Sequence, residues 1–294
     1  MDLIPAKNII SGYAADSGWF GCNYNMNIYR GCSHGCIYCD SRSACYQIED
    51  FDRVRAKANA LAVIERNLRS KQKKGIIGTG AMSDPYNPKE AKYALTRGAL
   101  ALIDRYHFGV VPLTKSALVT RDMDLYLKIA EHSPVCVMMT ITTCDDALSK
   151  KVEPNVSPSS ERFAALKAFS DAGIRTGIAM MPILPFLEDN RENLSGIVAR
   201  AKEAGVRFIA PCPGMTLREG QREYYYAALE REFPGLKEKY QARYGHDYSC
   251  MIPDFQALRY YFGAQCKKAG IVTDMRDIVK CITKGYVREQ ISFV

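Results

Sequence analysis

Tyr29-Arg30-Gly31-Cys32-Ser33-His34-Gly35-Cys36-Ile37-Tyr38-Cys39-Asp40 is the stretch on which the reading of this chain turns. It follows a predicted first strand, Met26–Tyr29, and so occupies the first strand-to-helix loop. Its three cysteines, at C-x3-C-x2-C, match the ligand chemistry of a cubane iron–sulfur cluster, for which thiolates are preferred. A four-iron cluster held by three thiolates leaves one iron open, and an open metal position is a mark of reactivity. Tyr38, between the last two cysteines, sits where it would pack beside a molecule bound at that iron. The same spacing also suits a zinc site, with Cys45, Cys22 or His34 as fourth ligand, or a plain ferredoxin-like cluster.

Outward from this loop, short apolar runs alternate with helical patterns. Val54, Ala58, Leu61, Ile64 and Leu68 give helical spacing from Arg53 to Leu68. Strands are expected at 75–80, 109–113, 135–143, 174–181 and 206–210. Helices are expected at 91–106, 122–131, 158–172 and 192–204, with Ser157 as N-cap, Pro158 at the first helical position, and Gly173 and Gly205 as stops. Six β/α units predict parallel strands with right-handed crossovers. Six are too few for a closed eightfold barrel. The expected fold is therefore α/β, a partial (β/α)6 barrel over 1–217. A Tyr-rich helical C-terminal extension, 218–294, is expected to cover the open side. Ligands are expected at the C-terminal ends of the strands.

Composition narrows the classes. The chain has 294 residues and 47% hydrophobic content, enough for a sizeable core. It has no apolar run of membrane-spanning length and no signal-peptide pattern at Met1–Gly12, which gives a cytoplasmic expectation without membrane partners. Eleven cysteines in such a compartment read as metal ligands and buried apolar side chains, not disulfides. The net charge of +8 is spread along the sequence, with one dense run at Arg69–Lys74 that reads as a solvated helix end. That charge permits nucleic acid as a partner without favouring it.

The cysteine motif after the first strand of such a chain resembles the radical S-adenosylmethionine superfamily. The likeness implies a [4Fe–4S] cluster on Cys32, Cys36 and Cys39 and S-adenosylmethionine as second cofactor. Reductive cleavage to a 5′-deoxyadenosyl radical and hydrogen abstraction from a substrate would follow. A one-electron donor such as flavodoxin or ferredoxin is also implied. Further motifs are similar to the spore photoproduct lyase-like subgroup: Tyr29–Cys32, Ser83-Asp84-Pro85-Tyr86-Asn87-Pro88 with Glu90, Thr114-Lys115-Ser116 with Arg121-Asp122, Glu153-Pro154 with Arg162, Pro182–Pro185 and Gln290–Phe293. On this likeness Ser83 and Asp84 would accept hydrogen bonds from the cosubstrate ammonium. Lys115 would neutralise its carboxylate, Ser116 would bond a ribose hydroxyl, and Arg162 would reach a carboxylate or pair with Glu161 or Glu153. Tyr38 and Met181 would line the pocket.

The subgroup carries a hydrogen-donating cysteine beside the second-strand Ser-Asp. Here that position is Met82 (Ala81 in the alternative register), and neither has an S–H. The likeness therefore implies a radical enzyme with a substrate other than the thymine dimer. A nucleic-acid repair lyase and a non-enzymatic zinc or iron–sulfur binding module are the competing readings. Cys212, in Pro211-Cys212-Pro213-Gly214, is a candidate to face the site.

Overall fold

A computed structural model describes residues 1–13 and 19–284; the Gln290–Phe293 motif lies outside them. Six parallel strands form the centre: β1 (Tyr24–Met26), β2 (Ile76–Thr79), β3 (Gly109–Thr114), β4 (Cys136–Thr140), β5 (Arg175–Met180) and β6 (Phe208–Pro211). They pair in chain order, with Met26 beside Thr79, Ile77 beside Val110, Leu113 beside Met138, Met138 beside Gly177 and Gly177 beside Phe208. The antiparallel strand Ile10–Gly12 adds to the β1 edge. Between successive strands lie α1 (Ala60–Arg69), α2 (Leu95–Arg105), α3 (Met123–Ala130), α4 (Ser159–Asp171) and α5 (Arg191–Glu203). This is the expected partial (β/α)6 barrel.

Strand alternation sorts the core into two layers. Val137, Met139, Ile178 and Ile209 point outward against the helices, beside Leu100, Ile129, Leu166 and Ile197. Cys136, Met138, Ala179, Phe208 and Ala210 point into the barrel with Cys22 and Val111. Phe208 fills the lumen because position 177 is glycine: a Cβ there would lie 2.1 Å from the Phe208 ring.

The C-terminal region has two tasks. After β6, a short antiparallel pair (Gly214–Thr216 with Ser249–Met251) and the two helices between its strands, α6 (Gln221–Glu232) and α7 (Leu236–Tyr244), form a second core with Cys36, Ile37 and Tyr38. Then α8 (Phe255–Ala269) packs on α5. Last, α9 (Met275–Thr283) sends Ile278 and Ile282 into the lumen cluster and touches both β6 and residues 19–21, just before β1. It thereby joins the two ends of the open barrel.

Four local expectations change. The single strand expected at Met26–Tyr29 is two, because Tyr29–Arg30 leaves the barrel and pairs with Arg55–Lys57 in a separate small sheet. That pairing also takes the first turn of the helix expected from Arg53; Asn59, in the left-handed region at φ 51°, starts α1 instead. The helix expected at 91–106 is broken at Ala94, φ 48°. Ser157 does not cap α4; its hydroxyl accepts the Ala117 N–H at 2.9 Å, tying the third and fourth loops together. The run Arg69–Lys74 does follow the end of α1, as expected.

Candidate active site

All six strand ends point their loops to one face, and the cysteine loop lies across it. Its main chain is fastened from several directions. The Cys32 N–H donates to Phe51 O at 2.8 Å and the Ile37 N–H to Val152 O at 3.0 Å. The Ser83 hydroxyl donates to Gly31 O at 2.6 Å, Asn155 Nδ2 to Ser33 O at 3.1 Å, and Gln221 Nε2 to Tyr38 O at 2.9 Å. Gly31 sits at φ 78° with Phe51 O where a Cβ would be, so only glycine allows the loop to turn this close to 51–53. Gln221 belongs to α6 and is 1% exposed. The C-terminal region thus completes the loop, through a glutamine that nothing in the sequence pattern singled out.

Asp84 is the junction. Its Oδ1 accepts the Tyr86 N–H at 2.8 Å and the Thr114 hydroxyl at 2.6 Å; its Oδ2 accepts the Lys115 N–H at 2.8 Å and lies 3.1 Å from His34 Nε2. Burial alone would raise its carboxyl, but His34, Thr114 and the Lys115 amide outweigh burial and hold it at about 2. All this capacity goes to fixing the loops after β1, β2 and β3 to one another. Asp84 is therefore built into the architecture of the site. Ser83 is buried beside it and keeps accepting capacity, since its one bond is a donated one.

Lys115 projects its ammonium over the Tyr38 ring, 5.8 Å from the centroid. Burial works against its charge, but Cys36, Glu153, Asp84 and Cys39 raise its pKa well above the ordinary lysine value. Ser116 turns out to be a cap: its hydroxyl accepts the Leu118 N–H at 3.3 Å at the start of the 3-10 helix 117–122. Arg162 is wholly buried. Its guanidinium bonds Ser157 O at 2.7 Å and Thr140 O at 2.8 Å and pairs with Glu153 at 2.6 Å. Glu153 in turn accepts the Tyr38 phenol. Arg162 thus acts on the cysteine loop through Glu153 and Tyr38. Met181 directly follows β5, half-buried against the lumen cluster. Met82 is half-buried in the loop between Gly80 and Ser83.

The motif residues Glu90, Arg121 and Asp122 meet in a second buried network. Arg121 pairs with Glu90 at 2.8 Å and Asp122 at 2.7 Å, Tyr86 donates to Asp122 at 3.1 Å, and Tyr29 donates to Glu90. It braces the segment that carries Ser83 and Asp84.

The donor set suits a thiolate-bound cluster. Cys32, Cys36 and Cys39 are free, and burial raises all three thiols, Cys32 to about 11. The Lys115 charge is the main influence opposing that rise at Cys36 and Cys39. Among the described residues no three His, Cys, Asp or Glu side chains converge as the ligands of a single ion would. In a cubane each thiolate binds a different iron, so its ligands stand apart. The fourth ligands that a zinc reading would need are engaged elsewhere. Cys22 lies in the lumen, Cys45 Sγ takes the Arg218 guanidinium at 3.1 Å, and His34 turns to Asp84 and to Asn155 O. Cys212 is exposed at the end of β6.

Glu188, absent from the sequence reading, is the other unusual group. It is fully buried beneath the loop, accepting the Thr142 hydroxyl at 2.6 Å and the Leu184 N–H at 2.8 Å. Burial pushes its carboxyl up to about 8, the bonds from Thr142 and Leu184 oppose the rise, and the charge of Glu153 adds to it. An acid raised on folding contributes stability that is fully present below its unfolded value and is lost as pH rises to the folded one. Stability should therefore fall between about pH 4.5 and 8, at up to about 1.4 kcal/mol per pH unit from this group. Urea unfolding at pH 5.5 and 7.5 measures it. Glu188→Gln, which can give its amide to Thr142 and its carbonyl to Leu184, should flatten the difference; an equal drop in both proteins would clear Glu188 of the effect.

A family model described as the Radical SAM superfamily matches residues 26–195. An uncharacterized protein of Mycobacterium tuberculosis is 31% identical over 228 residues, 75% of this chain and 67% of that one. An uncharacterized protein of Methanocaldococcus jannaschii is 37% identical over 174 residues, 58% and 63% respectively. Among solved structures, a spore photoproduct lyase variant superposes with TM-score 0.61 at 15% identity, covering 92% of this chain and 80% of that one. A spore photoproduct lyase complexed with dinucleoside spore photoproduct gives 0.57 at 15% identity, covering 96% and 80%. At such identity the likeness to these structures is one of fold.

Proposed function

The chain belongs to the radical SAM superfamily, and from that premise we propose that Cys32, Cys36 and Cys39 hold its [4Fe–4S] cluster and that Ser83 and Lys115 bind S-adenosylmethionine beside it. The observation that supports this is the meeting of three free thiols, two buried and that of Cys39 half-buried, with the Lys115 ammonium and the Ser83 hydroxyl at one end of the barrel. Membership makes the protein an enzyme with the cluster and S-adenosylmethionine as cofactors. Held by these cysteines, the cluster would supply the one-electron reduction by which bound S-adenosylmethionine is cleaved.

The chain's own residues do the rest. Lys115 offers its charge to the cosubstrate carboxylate and Ser83 an acceptor to its ammonium. Tyr38 is the wall beside the cysteines, held by Glu153 and Arg162. Met181 borders the adenine end. Asp84 and Ser116 act by placing Ser83 and Lys115. Anaerobic reconstitution with dithionite and S-adenosylmethionine, followed by chromatography for 5′-deoxyadenosine, tests the reading; absence of that product with an intact cluster would sink it.

Lys115→Ala and Ser83→Ala should keep the iron and weaken cosubstrate binding by about 1.5–3 kcal/mol each, the worth of a hydrogen bond to a charged group. Titration calorimetry on each variant measures it. Wild-type affinity in both would move the pocket elsewhere.

The shared fold with spore photoproduct lyase and the +8 charge support a second reading, action on a nucleic-acid lesion. Against it stand Met82 and Ala81, neither able to return a hydrogen by a thiol route. We favour a substrate other than a thymine dimer.

A further inference from the structure

Beside the cysteine loop, Leu3–Ile4, Arg55–Lys57 and Tyr29–Arg30 form a small sheet of their own, with Arg55–Lys57 in the middle. Its residues alternate in direction. Tyr29 and Ala56 are buried, and Arg30, Arg55 and Lys57 take the other side. The register sets Arg30 directly opposite Arg55. Like charges so placed destabilise an antiparallel pair. Lys57 lies two residues along on the same face, its ammonium held below the ordinary lysine range by burial and by Arg30.

Neighbouring cations have carboxylates: Arg42 pairs with Asp52, and Arg53 with Asp2. Arg30 and Arg55 instead donate to main-chain carbonyls, of Gln47 at 2.7 Å and of Glu49. Arg55 Nε is buried without an acceptor. Carbonyls satisfy hydrogen bonds without cancelling charge, so the sheet keeps a positive face at some cost to its own pairing.

The place of this face indicates its partner. Arg30 precedes Cys32 by two residues, which puts their Cα atoms within about 8 Å. The first two thiols are covered, Cys32 being 9% and Cys36 5% exposed, and Cys39 is half-buried. The proposed chemistry needs one electron from outside, and electron transfer weakens steeply with distance. A donor must therefore dock on the surface nearest the cysteines. Three cations on three short strands make a compact patch, suited to an acidic protein surface more than to a phosphate backbone, which is met by a longer series of contacts.

We propose that Arg30, Arg55 and Lys57 form the docking surface for an acidic one-electron carrier protein of the flavodoxin or ferredoxin kind. This rests on the reading of Cys32, Cys36 and Cys39 as cluster ligands. In the step, the carrier's reduced cofactor is oxidised by one electron and the cluster is reduced by one; no bond or proton moves.

The test is the double variant Arg55→Glu/Lys57→Glu, with Arg30 left in place because it adjoins the cysteines. Circular dichroism and iron content should match wild type. Dithionite, a small reductant that needs no docking surface, should drive 5′-deoxyadenosine formation equally in both proteins. Titration of oxidised flavodoxin should show affinity at least tenfold weaker in the double variant at low salt, with wild-type affinity itself falling as salt rises. Flavodoxin-driven turnover should slow in parallel. Wild-type affinity and turnover in the double variant would overturn the proposal, as would loss of oligonucleotide binding with flavodoxin binding intact. If dithionite fails with wild type, the cluster reading falls, while the flavodoxin titration still decides the face. Should the double variant not fold, Lys57→Gln is the milder probe, expected to weaken flavodoxin binding a few-fold, and unchanged binding there refutes the docking surface.

Discussion

Alanine at any one of Cys32, Cys36 or Cys39 should strip the protein of iron altogether. Anaerobically purified wild type is expected to carry about four irons per chain and a brown colour, and each of the three variants to carry neither. On the proposed assignment the effect is all-or-none, because the three thiolates would be the whole protein share of the coordination, and two would not retain a cluster on a loop whose thiols burial otherwise keeps protonated. Cys45→Ala and Cys22→Ala should leave the iron in place, since the first sulfur is bound to Arg218 and the second packs in the lumen. Iron analysis and absorption spectra check all five variants. Stoichiometric zinc without iron in reconstituted wild type, or iron lost on changing Cys45 or Cys22, would refute the assignment.

Arg162→Met should be the most destabilising single change away from the cysteines. It leaves the Glu153 carboxylate, 1% exposed, without the guanidinium that pairs with it, and removing one partner of a buried pair costs about 3–5 kcal/mol. That is a large part of the roughly 5–15 kcal/mol that holds a domain together. The urea midpoint should fall steeply with the slope unchanged. The double variant Arg162→Met/Glu153→Gln should recover part of the loss, because the unpaired charge is then gone. A loss below about 0.5 kcal/mol for Arg162→Met would mean that water or a rearranged neighbour takes over the carboxylate.

The barrel was legible because its evidence is periodic. Strands 135–143 and 174–181 and the helices stopped by Gly173 and Gly205 announce themselves through local sterics and hydrophobic spacing, and the structure has them. Three of the four expectations that changed lie where a distant segment competes with local preference; the break at Ala94 is a local turn of the backbone. Residues 55–57 read as helical by spacing, yet they pair with Tyr29–Arg30 because that ladder holds the cysteine loop. The sequence also offered Ser157 as a helix cap, while the fold brings the Ala117 N–H within its reach.

For the site the division is sharper. Three cysteines at C-x3-C-x2-C, with their position after a strand, state a donor set and a loop by themselves, since thiol chemistry and short spacing need no tertiary partner. Ser83, Asp84, Lys115, Ser116 and Arg162 were legible as polar residues at strand ends, but their tasks were not. Hydrogen-bonding capacity is used up by whichever partner folding delivers. Asp84 spends its capacity on His34, Tyr86, Thr114 and Lys115, Ser116 on Leu118, and Arg162 on Glu153, whereas Lys115 keeps its charge directed at the cysteines. Gln221 and Glu188 carried no signal at all, because their roles depend on burial against Tyr38 O and Thr142. Only the packed chain, which sets what water is excluded and which partner is near, decides such roles.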